Sequence, residues 1–191
     1  MEKWIIKPKA MPVIIRNCNK CASENKFICS GNFRINANGK NIDVWLIYKC
    51  EKCDTTWNME ILSRVKPKQI EPSLYLAFAG NDLETAFCYA FNRDILNKNK
   101  AVVSYDDIPY VVLKTKFNDN DNILEITSQY DFGLRIDKLL SDETGISRTK
   151  IKELIEIGKI KSNKIELSSK TKIKRVLQIK GDIFDENNYK K

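Results

Sequence analysis

The chain has 191 residues, 42% of them hydrophobic and 30% charged, which suits one or two ordinary domains, and its apolar runs fall far short of the roughly 20 residues that span a bilayer. It has no histidine, which removes Ser-His-Asp and Cys-His catalysis, HExxH metalloproteases and every His-containing zinc site. Net charge is +8, divided as +6, −3 and +5 over residues 1–66, 67–130 and 131–191; this basic–acidic–basic pattern suggests a polyanionic partner, although a general richness in Lys, Asn and Ile accounts for part of the lysine excess.

Residues 1–16 lack the apolar core of a secretory signal, so a cytoplasmic location and reduced thiols are expected. Four of the six cysteines form two CxxC pairs, Cys18-Asn19-Lys20-Cys21 and Cys50-Glu51-Lys52-Cys53, separated by 28 residues. A CxxC turn aims two thiolates at one point, and two such turns complete a four-sulfur metal site. Between them, β-prone runs at 27–34 and 42–49 flank Asn38-Gly39, a strong hairpin signal. A third strand is expected at 55–62.

The order knuckle, hairpin, knuckle, strand over residues 18–62 resembles a zinc ribbon. The resemblance implies one structural zinc held by Cys18, Cys21, Cys50 and Cys53, with Trp57 packed over it. A closed four-thiolate site has no open position for catalysis. Redox CxxC pairs or disulfides are the competing reading, but a redox motif needs a βαβ context that is missing, and disulfides do not suit the expected reducing compartment. Cys29 and Cys88 are expected to be small buried hydrophobes. Arg16, Lys20, Lys26, Arg34, Lys49 and Lys52 surround the ribbon, which could touch nucleic acid, aid folding or dock a protein.

A boundary is expected at Val65-Lys66-Pro67-Lys68. Pro72 can open a helix over 73–79, which Gly80 stops. Asn81 and Glu84 then start a second helix over 82–97, with Leu83, Phe87, Ala90, Phe91 and Ile95 as its core stripe. Strands are expected at 101–105, 110–116 and 123–128, with a polar loop at 118–122. The carboxylate pairs Asp106-Asp107 and Asp119/Asp121 read as solvated turns. No phosphate-cradling glycine loop and no nucleophile–base constellation occurs in this middle segment.

The C-terminal part begins with Leu134-Arg135-Ile136-Asp137-Lys138-Leu139-Leu140, a short amphipathic helix burying Ile136, Leu139 and Leu140. Gly145-Ile146 turns the chain, Ser147 caps a second helix over 148–157, and Ile151, Leu154 and Ile155 form its apolar stripe. Gly158 ends it. Two short strands are expected at 165–167 and 176–179, before Gly181-Asp182.

This ordering resembles the RNA-binding module named after ribosomal small-subunit protein four. The matching residues are Arg135, Asp137, Leu139-Leu140, Ser147-Arg148, Leu154-Ile155, Gly158, Ile160 and Gly181-Asp182. Ile151 stands where the module usually has a small residue, and Ser162-Asn163-Lys164 replaces its usual Val-Asn-Gly turn. The resemblance implies a basic helical face for structured RNA, with Arg135, Ser147, Arg148, Lys152 and Lys159 as contacts. Arg148 and Lys152 are expected to be solvated. A helix-turn-helix DNA binder is the competing reading.

Along the chain, Trp4-Ile5-Ile6, Arg34-Ile35-Asn36-Ala37-Asn38-Gly39-Lys40 and Asp43-Val44-Trp45-Leu46-Ile47-Tyr48 resemble an uncharacterised bacterial family, domain of unknown function 1062. The family carries no assigned activity. The expected fold is α+β in three parts: a β-rich zinc ribbon at 1–66, a helical connecting segment with short strands at 67–130, and a small α/β RNA-binding-like module at 131–191. The expected function is non-enzymatic binding of structured RNA (rRNA, tRNA or ribosome-associated), with no membrane partner and a ribosomal or protein partner open. Alternatives are a DNA-binding regulator, an RNA-modifying enzyme and a zinc-stabilised adaptor.

Overall fold

A computed structural model describes residues 1–105, 108–117 and 123–181. The fold is mixed α+β, with two five-stranded sheets and five α-helices among these residues. Two compact units arise, one from residues 10–108 and one from residues 1–9 with 109–191. This division differs from the three consecutive segments expected at 1–66, 67–130 and 131–191. The reason is strand pairing: β1 (Glu2–Pro8) belongs to the sheet of the C-terminal unit.

The unit of residues 10–108 is built on β2 (Val13–Cys18), β3 (Ser23–Asn38), β4 (Asn41–Cys50), β5 (Thr56–Val65) and β6 (Val102–Ser104), in the order β5-β4-β3-β2-β6. Every neighbouring pair is antiparallel. The β3–β4 hairpin closes with Asn38 opposite Asn41. Gly39 takes the left-handed φ of +62° that the two-residue turn requires. A bulge between Cys29 and Phe33 interrupts the β3–β4 ladder.

Alternation gives this sheet one apolar face. Ile14, Phe27, Phe33, Val44, Leu46, Tyr48 and Met59 are buried together with Phe78, Ala86, Ala90 and Leu96 from the helices. These helices are α1 (Pro72–Ala79), α2 (Leu83–Ala90) and α3 (Arg93–Lys98). Pro72 and Gly80 bound α1 as expected. The single helix expected over 82–97 is instead two. Asn92 accepts hydrogen bonds from the backbone N–H groups of Asp94 and Ile95, and so caps a new helix. Asp82 caps α2 by accepting from Thr85 N at 2.7 Å.

The expected stripe is buried only in part. Leu83 is 58% exposed and Phe87 and Ile95 are half-buried, whereas Ala86, Ala90, Phe91 and Leu96 are buried. Phe78 anchors the helices, with its ring 4.9 Å from Phe33 and 5.5 Å from Tyr89. Phe78→Ala should therefore cost about 3–5 kcal/mol in urea unfolding, and Phe87→Ala clearly less, about 1–2 kcal/mol. Equal losses at the two positions would contradict this packing.

The other unit holds β7 (Tyr110–Lys116), β8 (Ile123–Ser128), β9 (Ile160–Lys161) and β10 (Val176–Gly181) with β1, in the order β7-β1-β8-β10-β9. β1 runs parallel to β8, and the remaining pairs are antiparallel. Trp4, Ile6, Leu124, Ile126, Leu177 and Ile179 are its buried strand residues. Of the two short strands expected here, the second is present as β10. Its partner is β9, not residues 165–167, which form no strand. The close approach of β9 explains Gly181: a Cβ there would meet the Lys159 carbonyl oxygen at 2.9 Å.

The helices α4 (Ile136–Thr144) and α5 (Arg148–Glu156) complete this unit and pack on each other. Ile136, Leu139, Leu140, Ile151, Leu154 and Ile155 are buried, as expected. Gly145 ends α4 in the left-handed conformation. Ser147 accepts from Lys150 N to cap α5. Asp106-Asp107, the loop at 118–122 and Asp182 lie outside the described residues.

Candidate functional site

Cys18 is the last residue of β2 and Cys50 the last of β4. Each opens a tight turn that carries its second cysteine, Cys21 or Cys53. The residue after that cysteine has positive φ in both turns, +51° at Ala22 and +60° at Asp54. The two turns are thus built alike, and strand pairing brings them together. Phe27 lies opposite Cys50, and Glu51 N donates to Lys26 O at 2.9 Å.

The four Sγ atoms all lie within 4.8 Å of one another. Cys18 and Cys53 are 3.5 Å apart, and Cys21 and Cys50 are 4.0 Å apart. Four sulfurs at about 2.3 Å from a zinc ion form a tetrahedron with edges of about 3.8 Å. The spacing fits a metal ion and is too wide for a disulfide, whose S–S bond is about 2.05 Å; no disulfide joins these four cysteines. Cys18 and Cys50 are buried, and Cys21 and Cys53 half-buried.

The electrostatics of the cluster favour a cation. The Thr55 hydroxyl, 3.1 Å from Cys53 Sγ, and the Thr55 backbone hold the Cys53 thiol down at about 6. The neighbouring sulfurs, Cys53 foremost, together with burial push Cys21 up to about 12. Thiols so close cannot all ionise unless a positive ion neutralises them. Soft thiolate donors in tetrahedral array suit zinc or iron among common metals. The four cysteines can therefore hold a metal.

Around the cluster, Arg16 lies 4.2 Å from the centre of the Trp57 ring, which itself packs on Tyr48 at 5.5 Å. Lys20, Lys26, Lys49, Lys52 and Arg34 are exposed. Cys29, opposite Tyr48 in the ladder, is half-buried, and burial pushes its thiol up to about 11. Cys88 departs from expectation: it is exposed on α2 and takes no part in the core.

The second constellation lies at the start of α4 and α5. Arg135 is the N-cap of α4, and Arg148 is the first residue of α5. Between them sits Asp137, only 4% exposed. Arg135 donates from Nε to Oδ1 at 3.0 Å and from Nη2 to Oδ2 at 2.7 Å. Arg148 donates to Oδ2 from Nε at 3.2 Å and from Nη2 at 2.9 Å. Lys138 N adds a bond to Oδ1 at 2.8 Å.

Burial alone would raise the Asp137 carboxyl. The hydrogen bonds and charges of Arg148 and Arg135 outweigh it and hold the group below the ordinary carboxylate range. A carboxyl lowered by folding stabilises the fold at pH values above its unfolded value of about 3.9, and that contribution fades as pH falls through the folded value. Acid titration of the fold should accordingly show a loss of stability below about pH 4 that Asp137→Asn reduces. An unchanged acid limb in Asp137→Asn would remove the carboxylate from this role.

Of the five expected RNA contacts, Lys152 and Lys159 are exposed, Lys152 at 3.6 Å from Glu156. Ser147 is occupied as the cap of α5. The expectation that Arg148 is simply solvated fails: like Arg135, it is partly exposed and bound to Asp137. Two further residues join this constellation. Asp137 sat in a matched motif, but its burial depends on α5 folding against it. Lys172 pairs with Arg135 in an isolated antiparallel bridge, and nothing local in the sequence announces that meeting. The unit holding these residues carries +6 of the net charge, against +2 for residues 10–108.

No helix among the described residues is long and apolar enough to cross a membrane. Residues 35–166, more than half of the chain, match the family described as protein of unknown function (DUF1062), and the chain belongs to that family. No curated protein and no solved structure matches it.

Proposed function

We propose that this member of the family is a non-enzymatic, cytoplasmic RNA-binding protein whose α4–α5 face captures structured RNA, with a zinc-stabilised ribbon in the unit of residues 10–108. The observation that carries this reading is the pair of arginines at the first turns of α4 and α5, set in the unit with most of the positive charge. Lys152, Lys159 and Lys172 extend that charge along exposed surface. A-form RNA is recognised through shape, phosphates and 2′-hydroxyls, so a rigid basic face serves without base-specific contacts.

In the ribbon, Cys18, Cys21, Cys50 and Cys53 would hold one zinc, which supplies cross-linking of the two turns. With four protein thiolates it has no coordination position left for substrate. The exposed lysines around it make it a second contact or a docking point. Crosslinking in cells followed by sequencing of the bound nucleic acid tests the proposal. Enrichment of rRNA, tRNA or other folded RNA is expected. Recovery of duplex DNA alone would move the case to a DNA-binding regulator.

A further inference from the structure

The Arg135–Asp137–Arg148 cluster sets two cations against one buried carboxylate. A buried carboxylate is satisfied by one bidentate arginine and a backbone N–H, and here Arg135 and Lys138 N already provide both. Arg148 shares Oδ2 with Arg135, which brings two guanidiniums together at a cost in mutual repulsion. Each also sits at a helix N-terminus, where the aligned peptide dipoles disfavour a positive charge. Local rules broken in this way are expected at functional sites.

Both arginines use the same edge, Nε with Nη2, to meet Asp137. Nη1 of each guanidinium has no hydrogen bond or ion pair among the described residues. The backbone at Arg135 is held as well: it bridges to Lys172, with Ile136 N donating to Thr171 O at 2.9 Å and Ile173 N donating to Leu134 O at 2.8 Å.

We propose that Asp137 is a positioning residue that pins Arg135 and Arg148 as a preformed fork for one phosphate of RNA. The proposal rests on the RNA-binding reading above. The phosphate supplies the anion that the cluster lacks, and the outward guanidinium edges match its oxygens bidentately. Holding both side chains in advance removes the ordering cost that free arginines incur on binding.

The test uses the full chain loaded with zinc and a short hairpin RNA, with binding read by fluorescence anisotropy across a salt series. Asp137→Asn removes one negative charge, so simple electrostatics predicts tighter binding. Positioning predicts the opposite sign, about tenfold weaker binding. Arg135→Lys with Arg148→Lys keeps every charge but removes the planar forks, and should weaken binding by about 10- to 100-fold. Thermal unfolding checks that each variant is folded. Equal or tighter binding by folded Asp137→Asn overturns the proposal. So does wild-type affinity in the double lysine variant, which decides the matter if Asp137→Asn fails to fold. If the wild-type chain binds no hairpin RNA, the RNA reading itself falls and takes this proposal with it; binding by the wild type with no effect of either change overturns the proposal alone.

Discussion

Replacing Cys18 by Ser is expected to reduce bound zinc from about one equivalent per chain to almost none, as read by elemental analysis. Cys18 is buried at the end of β2 and belongs to the same core as Phe27, Leu46 and Tyr48. Its loss leaves three thiolates with no common cation, and their repulsion should open both turns. Structural zinc in small modules contributes roughly 10 kcal/mol or more to folding. Here the sheet has helices behind it, so the turns and the adjoining ends of β2 and β4 should loosen first. Amide exchange at residues 18–27 and 48–57 should rise sharply in the variant, and equally in wild-type protein treated with a chelator. Cys88→Ser should leave the metal content unchanged, because Cys88 is exposed and outside the cluster. A Cys18→Ser protein that retains a full equivalent of zinc would refute the four-cysteine site.

Arg148→Glu combined with Lys152→Glu is expected to weaken hairpin RNA binding by about two to four powers of ten and to flatten its salt dependence. Two phosphate partners become two repelling carboxylates on one helix. The Lys152 change should be almost silent in stability, since an exposed pair such as Lys152–Glu156 is worth about 0–1 kcal/mol. The Arg148 change should not be silent. It places a carboxylate beside buried Asp137, which then loses one donor and gains a like charge. Part of the variant's defect is therefore expected in its melting temperature. Intact binding in the folded double variant would move the contact surface to the ribbon.

Much of this structure was legible because its signals are short-range. Two CxxC turns, the Asn38-Gly39 hairpin, the Ser147 cap and the glycines 145 and 158 each specify geometry within a few residues. Where long-range pairing decides, the sequence was mute. Nothing in Trp4-Ile5-Ile6 announces a parallel partner at 124–128, so the sequence alone groups this strand with the residues that follow it. The one helix expected over 82–97 failed because Asn92 competes for backbone donors, a local effect hidden beneath a convincing apolar period. Of the expected stripe, Ala90 and Phe91 are buried, while Leu83 faces solvent. At the cysteine cluster, residue type and spacing sufficed to pick out the four residues that the fold brings together. At the basic face, the sequence supplied the arginines but not the buried carboxylate that holds them, because that burial exists only once α4 and α5 meet.

Capture of structured RNA by the α4–α5 face, through shape and phosphate contact, is the proposal on which the function rests. Its most direct test is anisotropy titration of the zinc-loaded full chain against an RNA hairpin and a DNA duplex of the same sequence, repeated over a range of salt. Three to five phosphate contacts predict tighter binding to the hairpin, with log affinity falling against log salt at a slope of about −2 to −4. Equal or tighter binding to the DNA duplex, or an affinity for RNA that salt does not change, would contradict it.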